Sequence, residues 1–161
     1  MKQIKVAILG GAGFVGSRLG DRLVNKDVVF KKYDIETKND VNISSLDIEK
    51  VETLNQLEGA DTIISLAAVH RDDIRPLSRY DDVNIQGSAN VCEAAHKHGI
   101  NRIIFTSSVA IYGFAPADTD ESGEPNYFND YGRTKYLAEQ VYKEWQAEDP
   151  ENRTLVIVRP T

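Results

Sequence analysis

The stretch "GGAGFVG", Gly10 to Gly16, constrains this chain more than any other. It follows an apolar run with β-branched residues, "IKVAIL" (Ile4 to Leu9), which reads as a buried strand. It precedes a helical pattern in which Phe14, Leu19, Leu23 and Val24 fall on one face, and "DVVFKKYD" then reads as a second strand ending near Asp34. This is a βαβ unit. Glycine at such a turn lets the backbone approach a pyrophosphate, whose charge is met by the free N–H groups and dipole of the helix start. Two registers fit: Gly11, Gly13 and Gly16 match G-x-G-x-x-G, whereas Gly10, Gly13 and Gly16 match the wider G-x-x-G-x-x-G.

Strands and helices keep alternating downstream. A helix is expected near Glu49 to Gln56, a strand at "DTIISLAA", a helix from about Arg79 to His98 and a strand at "RIIFTSS". A loop rich in Gly, Pro, Asp and Asn follows from Gly113 to Asp130, then a helix from Tyr131 to about Ala147 and a last strand at "TLVIVRP". Five strands in this order imply an α/β parallel sheet with helices on both faces and ligands beyond the carboxyl ends of the strands. With 161 residues, 41% of them hydrophobic, and no repeat or linker, one domain spanning 1–161 is expected. The net charge of -6 provides no overall positive field for nucleic acid or anionic lipid. A single cysteine, Cys92, excludes an intramolecular disulfide and reads as a small buried hydrophobe. The first apolar run is too short for a signal-peptide core or a membrane span, which predicts a cytoplasmic address.

Asp34 lies 18 positions after Gly16, close to the roughly 20 at which a carboxylate accepts both ribose hydroxyls of a dinucleotide. A carboxylate there repels a 2′-phosphate, and Lys31 and Lys32 precede it on alternating faces with no arginine directly following, so NAD is favoured over NADP. In "YGRTK", Tyr131 and Lys135 stand at i and i+4 near the start of a helix and share one face. A phenol ionises near about pH 10, and a neighbouring ammonium favours the phenolate needed for proton transfer; a surface pair is the plain alternative. "FTSS" ends a strand on the same edge as the glycine loop, so Ser107 or Ser108 is placed to meet Tyr131.

Together these motifs resemble the extended short-chain dehydrogenase/reductase family, the NAD-dependent sugar-nucleotide epimerases and dehydratases. The resemblance runs through "GGAGFVG", Asp34, "DI" at Asp47 and Ile48, "LAA" at Leu66 to Ala68, "VNIQGS" from Val83, "SSVAIYG" from Ser107, "YGRTK" and "VIVRP". It implies a Rossmann-type doubly wound sheet and the register Gly10, Gly13 and Gly16, with Gly11 an extra turn residue, Leu9 standing where the family usually has Thr, and Phe14 and Val15 in the first helical turn at the cofactor. It further implies that Asp34 holds the adenosine ribose, Asp47 and Ile48 the adenine edge, and Leu66, Ala67 and Ala68 the backbone beside the pyrophosphate and nicotinamide ribose. "NDVNI" offers a competing alignment that puts Val41 or Asn42 at the adenine. By the same resemblance Asn84 supports the sheet near the active site, Pro160 belongs to the cofactor contacts, and Ser108, Tyr131 and Lys135 are catalytic. Ser108 would hold the reacting sugar oxygen, and Lys135 would lower the pKa of Tyr131 and bond the nicotinamide ribose. Tyr131 would remove a proton from a sugar hydroxyl while hydride passes to NAD, giving a transient keto sugar that an epimerase reduces from its other face.

The dehydratase branch carries an acidic pair directly after the catalytic hydroxyl, and here those positions are Val109 and Ala110, neither able to move a proton. Epimerisation is therefore expected, with simple oxidation or reduction of a nucleotide sugar, or non-catalytic NAD sensing, as the alternatives. Retention of Ser108, Tyr131 and Lys135 argues for catalysis. His96 and His98 are two apart, which does not suit metal ligation from one helical face; no metal is expected, and Gly99 reads as the helix cap. His70, Arg71, Arg75 and Arg79 gather basic groups near the ligand edge, partly cancelled by Asp72 and Asp73. Trp145, Tyr136 and Tyr142 on the last helix suit either the core or a homodimer contact with the helix near residues 79–98. The chain ends at Thr161, where a loop should lead onward. It therefore reads as the N-terminal part of a longer enzyme, without the part that grips the sugar, and little turnover is expected of it alone.

Overall fold

The computed structural model describes residues 5–71 and 73–161. The expected strand after the first helix and those before and after it are present as β1 (Lys5–Leu9), β2 (Val29–Asp34), β4 (Thr62–Ser65), β5 (Arg102–Thr106) and β6 (Thr154–Val158). A sixth strand corrects the expected five: Ile43–Ser45, β3, has only three residues and pairs with the end of β2, Asp34 opposite Ser45. Every pairing is parallel, and the order is β3-β2-β1-β4-β5-β6. The chain therefore builds outward from β1 to one side, returns, and continues from β4 to the other, leaving a crevice where the direction reverses.

The register sets the carboxyl edge. Leu9 pairs with Tyr33 and Ser65, Ser65 with Phe105, and Thr106 with Val158. Gly10, Asp34, Leu66 and Ser107 consequently emerge together at one rim.

Helix α1 (Phe14–Val24) does not bury the face the apolar spacing suggests. Phe14 and Val24 are exposed, Leu19 and Leu23 half-buried, and the buried residues are Gly16 and Gly20. The reason is proximity: a side chain at Gly20 would meet Lys32 and Phe30 of β2, so the helix packs through its glycines. A 3-10 segment covers Val51–Leu57. The single helix expected from about residue 79 is three pieces in one rod: α2 (Ser78–Tyr80), a π-helical turn Asp81–Gln86, and α3 (Gly87–His98). Gly99 ends it in the left-handed region, its N–H returning to the carbonyls of Ala95 and His96. His96 Nδ1 lies 2.7 Å from Arg153 Nη2.

Helix α4 (Asp130–Ala147) starts under the Asn129 side chain, which accepts the Gly132 N–H. Two of its aromatic residues go inward, Tyr142 and Trp145 belonging to the core at 0% and 3% exposed, whereas Tyr136 is half-buried with its ring 6.1 Å from that of Tyr127. The Tyr142 ring lies 4.5 Å from that of Phe105 on β5. Cys92 is in the same core, where burial pushes its thiol up to about 12. Among the described residues no helix is long and apolar enough to cross a membrane.

Candidate active site

The glycine loop forms because bulkier residues would collide. Gly10 has φ +83° and a Cβ there would lie 2.8 Å from the Ala67 nitrogen; at Gly16 it would lie 2.3 Å from the Gly10 carbonyl oxygen. Gly11 is more than an extra turn residue, since a Cβ on it would meet Lys32 Cβ at 2.7 Å. Gly13 is less crowded, a Cβ there lying 3.3 Å from the Gly10 carbonyl oxygen, and it caps α1 without a side chain to occupy the helix start. A cleft of about 530 Å³ opens there, within the range of small-molecule and cofactor sites. Gly10, Gly13, Phe14, Val15 and Gly16 line one wall, and Leu66, Ala67 and Ala68 the other.

Asp34 stands at the far end of that cleft with each carboxylate oxygen already ordered. Oδ2 accepts the Ala12 N–H at 2.9 Å and Oδ1 the Glu36 N–H at 3.1 Å. A carboxylate oxygen retains further lone pairs, so Asp34 remains able to accept hydroxyl donors. Asp47 and Ile48 also line the cleft, whereas Val41 is 96% exposed and neither it nor Asn42 reaches it. Two cations flank this end: Lys38, which the sequence reading missed, and Arg79, which it placed near the ligand edge. Lys38 Nζ donates to the Ala12 carbonyl at 2.9 Å, and Arg79 forms a bidentate pair with Glu49 at 2.5 and 2.7 Å across the cleft rim. His70 lines the cleft, and Arg71 pairs with Asp73 in solvent. A backbone cradle that any Cβ would fill, next to a helix start and a half-engaged carboxylate, fits a dinucleotide.

Ser108, Tyr131 and Lys135 gather on the same edge, outside the cleft lining itself. Ser108 caps a 3-10 turn, Val109–Tyr112, its hydroxyl accepting the Ala110 N–H at 3.1 Å. Burial raises the Tyr131 pKa, and a hydrogen bond from Ser108 opposes the rise. The lowering by Lys135 that the spacing suggests is therefore not what acts on Tyr131 here. Lys135 is 3% exposed, with Nζ 4.4 Å from the centre of the Phe105 ring, and burial brings its pKa down to about 8 while Glu139 opposes the fall.

The surrounding residues explain the placement. Gly132 follows Tyr131 because a Cβ there would lie 2.4 Å from the Ala110 carbonyl oxygen; its absence lets α4 reach the turn that carries Ser108. Asn84, buried in the π-helical turn, is outside the cleft lining. Its side chain accepts the Val69 N–H at 2.8 Å and donates at 2.9 Å to both the Val69 carbonyl and Thr134 Oγ1. It thus ties the cleft wall to the helix between Tyr131 and Lys135. Pro160 also lies off the cleft: it is exposed, and its carbonyl accepts the Val109 N–H at 3.3 Å, so its contact is with the serine turn.

The sequence profile of the NAD dependent epimerase/dehydratase family matches residues 6–161. The chain belongs to this family. A relative from Escherichia coli O157:H7, N-acetyl-alpha-D-glucosaminyl-diphospho-ditrans,octacis-undecaprenol 4-epimerase, is 43% identical over 97% of this chain and 48% of its own length. UDP-glucose 4-epimerase of Bacillus subtilis (strain 168) is 27% identical over 91% of this chain and 49% of its own. Among solved structures, MoeE5 in complex with UDP-glucuronic acid and NAD superposes with a TM-score of 0.88 at 25% identity, covering 96% of this chain and 54% of that one. UDP-glucose 4-epimerase from Brucella ovis in complex with NAD has the same TM-score at 24% identity over 97% of this chain and 51% of its own. The chain spans about half the length of the curated relatives it matches.

Proposed function

We propose that this family member is an NAD-dependent 4-epimerase of a nucleotide sugar, with Ser108, Tyr131 and Lys135 as its acid/base set. The observation that carries the reading is the close approach of Gly132 to Ala110, which sets the start of α4 with Tyr131 against the turn that Ser108 caps, and Lys135 one helical turn further, at the edge where the glycine cleft opens. Gly10, Gly13 and the first turn Phe14, Val15 and Gly16 would hold the diphosphate of NAD. Asp34 would hold the adenosine ribose, Asp47 and Ile48 the adenine, and Leu66, Ala67 and Ala68 the nicotinamide side. Asn84 and Pro160 would act on this arrangement through Val69, Thr134 and Val109. Bound NAD supplies reversible oxidation at the sugar carbon. Tyr131 takes the proton of the sugar hydroxyl and returns it after the face has changed, and Ser108 holds the oxygen meanwhile. Lys135, one helical turn from Tyr131, provides a positive charge that is present below about pH 8 and would meet the nicotinamide ribose of bound NAD.

The 43% identity to an enzyme whose name specifies a polyprenyl diphosphate favours a second substrate, a hexose on a lipid diphosphate. Both carriers join the sugar through a diphosphate. In the full-length protein the reading includes a homodimer through α3 and α4. That contact would use polar residues such as Glu93 and Glu144, because Tyr142 and Trp145 face the core.

Calorimetric titration with NAD and with NADP, beside an Asp34→Asn variant, tests the cofactor assignment. Saturable NAD binding that the variant loses is expected, and equal binding of both cofactors by both proteins overturns it. Addition of UDP-N-acetylglucosamine or its undecaprenyl diphosphate counterpart to the NAD complex is then expected to produce reduced-nicotinamide absorbance, slowly, and not with Tyr131→Phe. The donor that gives the signal identifies the carrier.

A further inference from the structure

Helix α4 and the end of β6 hold a buried charge pair that the acid/base set leaves unused. Glu139 is 0% exposed and follows Tyr131 and Lys135 on the same helical face at intervals of four. Arg159 grips it with both forks, Nε on Oε1 at 2.8 Å and Nη2 on Oε2 at 2.7 Å, while Lys143 Nζ stands 3.7 Å from Oε2. An ion pair with one partner fully buried and the other largely so is weak evidence of stability, because apolar residues of the same volume often serve as well or better. Its other contacts supply a reason. Arg159 Nη1 donates to the Tyr112 hydroxyl and to the Glu121 carbonyl, the latter at 3.1 Å. Tyr112 closes the turn that Ser108 caps. The backbone on either side of Arg159 holds the start of that turn, since the Val158 carbonyl accepts the Ser107 N–H at 2.7 Å and Pro160 accepts that of Val109.

We propose that the Glu139–Arg159 pair is a positioning element for Ser108, Tyr131 and Lys135, locking the turn that carries the serine to the helix that carries the other two. It rests on the acid/base reading of those three residues. Arg159 belongs to both partners: its Nη1 side fixes the serine turn and its Nε side fixes α4. Glu139 has an electrostatic part as well. Burial pushes its carboxyl up, but Arg159, with Ser107 and then Lys143, prevails and it stays below its ordinary value, so it is a carboxylate one turn from Lys135. That negative charge raises the lysine pKa against burial. The groups around Lys135 are then Glu139, with Tyr131 one turn before it on α4, and the Phe105 ring from β5; those around Glu139 are Arg159, Ser107 and Lys143, with Lys135 one turn back.

The test is a nuclear magnetic resonance titration of this chain carrying isotope-labelled lysine and tyrosine, compared with Glu139→Gln and Arg159→Lys. In Glu139→Gln the Lys135 midpoint is expected to shift down from about 8, and the Tyr131 ring signal to move as its bond to Ser108 loosens. Arg159→Lys keeps the charge and loses the fork, so the Tyr131 signal should move with a smaller change at Lys135. A folded Glu139→Gln with both signals unchanged overturns the proposal. Should that variant fail to fold, the Arg159→Lys signals decide it in the same way, and collapse of both assigns the pair to fold stability and overturns it too. NAD titration of the unsubstituted chain is read separately: its failure defeats the functional reading, while the resonance shifts still decide the positioning.

Discussion

A methyl group on Gly132 would sit 2.4 Å from the Ala110 carbonyl oxygen, inside any permissible contact with backbone. Neither partner can yield cheaply, because Gly132 is in the first turn of α4 with its N–H on the Asn129 cap, and Ala110 is in the turn that Ser108 caps. Gly132→Ala should therefore drive the helix start off the serine turn. Overpacking of this kind destabilises by about 1–3 kcal/mol. A fall in the thermal midpoint of roughly 3–10 °C is expected for a chain of this size, together with loss of the Ser108 influence on Tyr131 in a tyrosine-resolved titration. An unchanged midpoint and tyrosine signal would show that α4 and the turn are not held this closely. Gly16→Ala belongs to the same class, with 2.3 Å to the Gly10 oxygen, but its readout is the cofactor: NAD affinity should drop as α1 is pushed out of the cradle.

At the scale of elements, one side chain joins three of them. Asn84 bonds the backbone of Val69 after β4 on both its polar groups and the Thr134 hydroxyl on α4. Asn84→Ala would leave the half-buried Val69 N–H and carbonyl without this partner, at up to about 1–3 kcal/mol for each group stranded. The thermal midpoint is expected to fall by roughly 5–15 °C, with a smaller loss for Thr134→Val, measured by calorimetry; equal losses would mean that the Val69 bonds matter little. Most of this architecture is legible in the sequence because short stretches rich in Val, Ile, Leu and Phe between turn signals mark five of the six strands. Ile43–Ser45 escapes that reading, being three residues long and held by its pairing to β2. The π-helical turn has no compositional mark, and the packed face of α1 is hidden because it is made of glycine, which carries no apolar signal. Ser108, Tyr131 and Lys135 are visible as a spacing. Their supports are not: Glu139 carries no mark in the sequence that sets it apart from other helix carboxylates, and only the return of β6 beside β5 brings Arg159 to it.

For the molecule as a whole, Lys135 links the site to the pH dependence of folding. An unfolded lysine keeps its proton to about pH 10.4, whereas in the fold burial brings Lys135 down to about 8. Between those values the unfolded state binds more protons, so raising the pH favours the native state through this residue. Below about 8 both states are protonated and the penalty for burying the charge is constant; above the unfolded value it is gone. Tyr33 and Cys92 act in the opposite sense, because burial raises their folded pKa and their contribution is lost as the unfolded groups ionise. The lysine is isolated by comparing the chain with Lys135→Met, which keeps a similar volume against Phe105 without the charge. Urea unfolding of both across the alkaline range should show the variant more stable near neutrality, with the gap closing by about 3 kcal/mol as the pH rises from about 8 to the unfolded lysine value. Groups common to both proteins cancel in that difference. A gap that stays constant through the window would mean that Lys135 holds its proton as an exposed lysine does, and that its ammonium is not desolvated beside Tyr131.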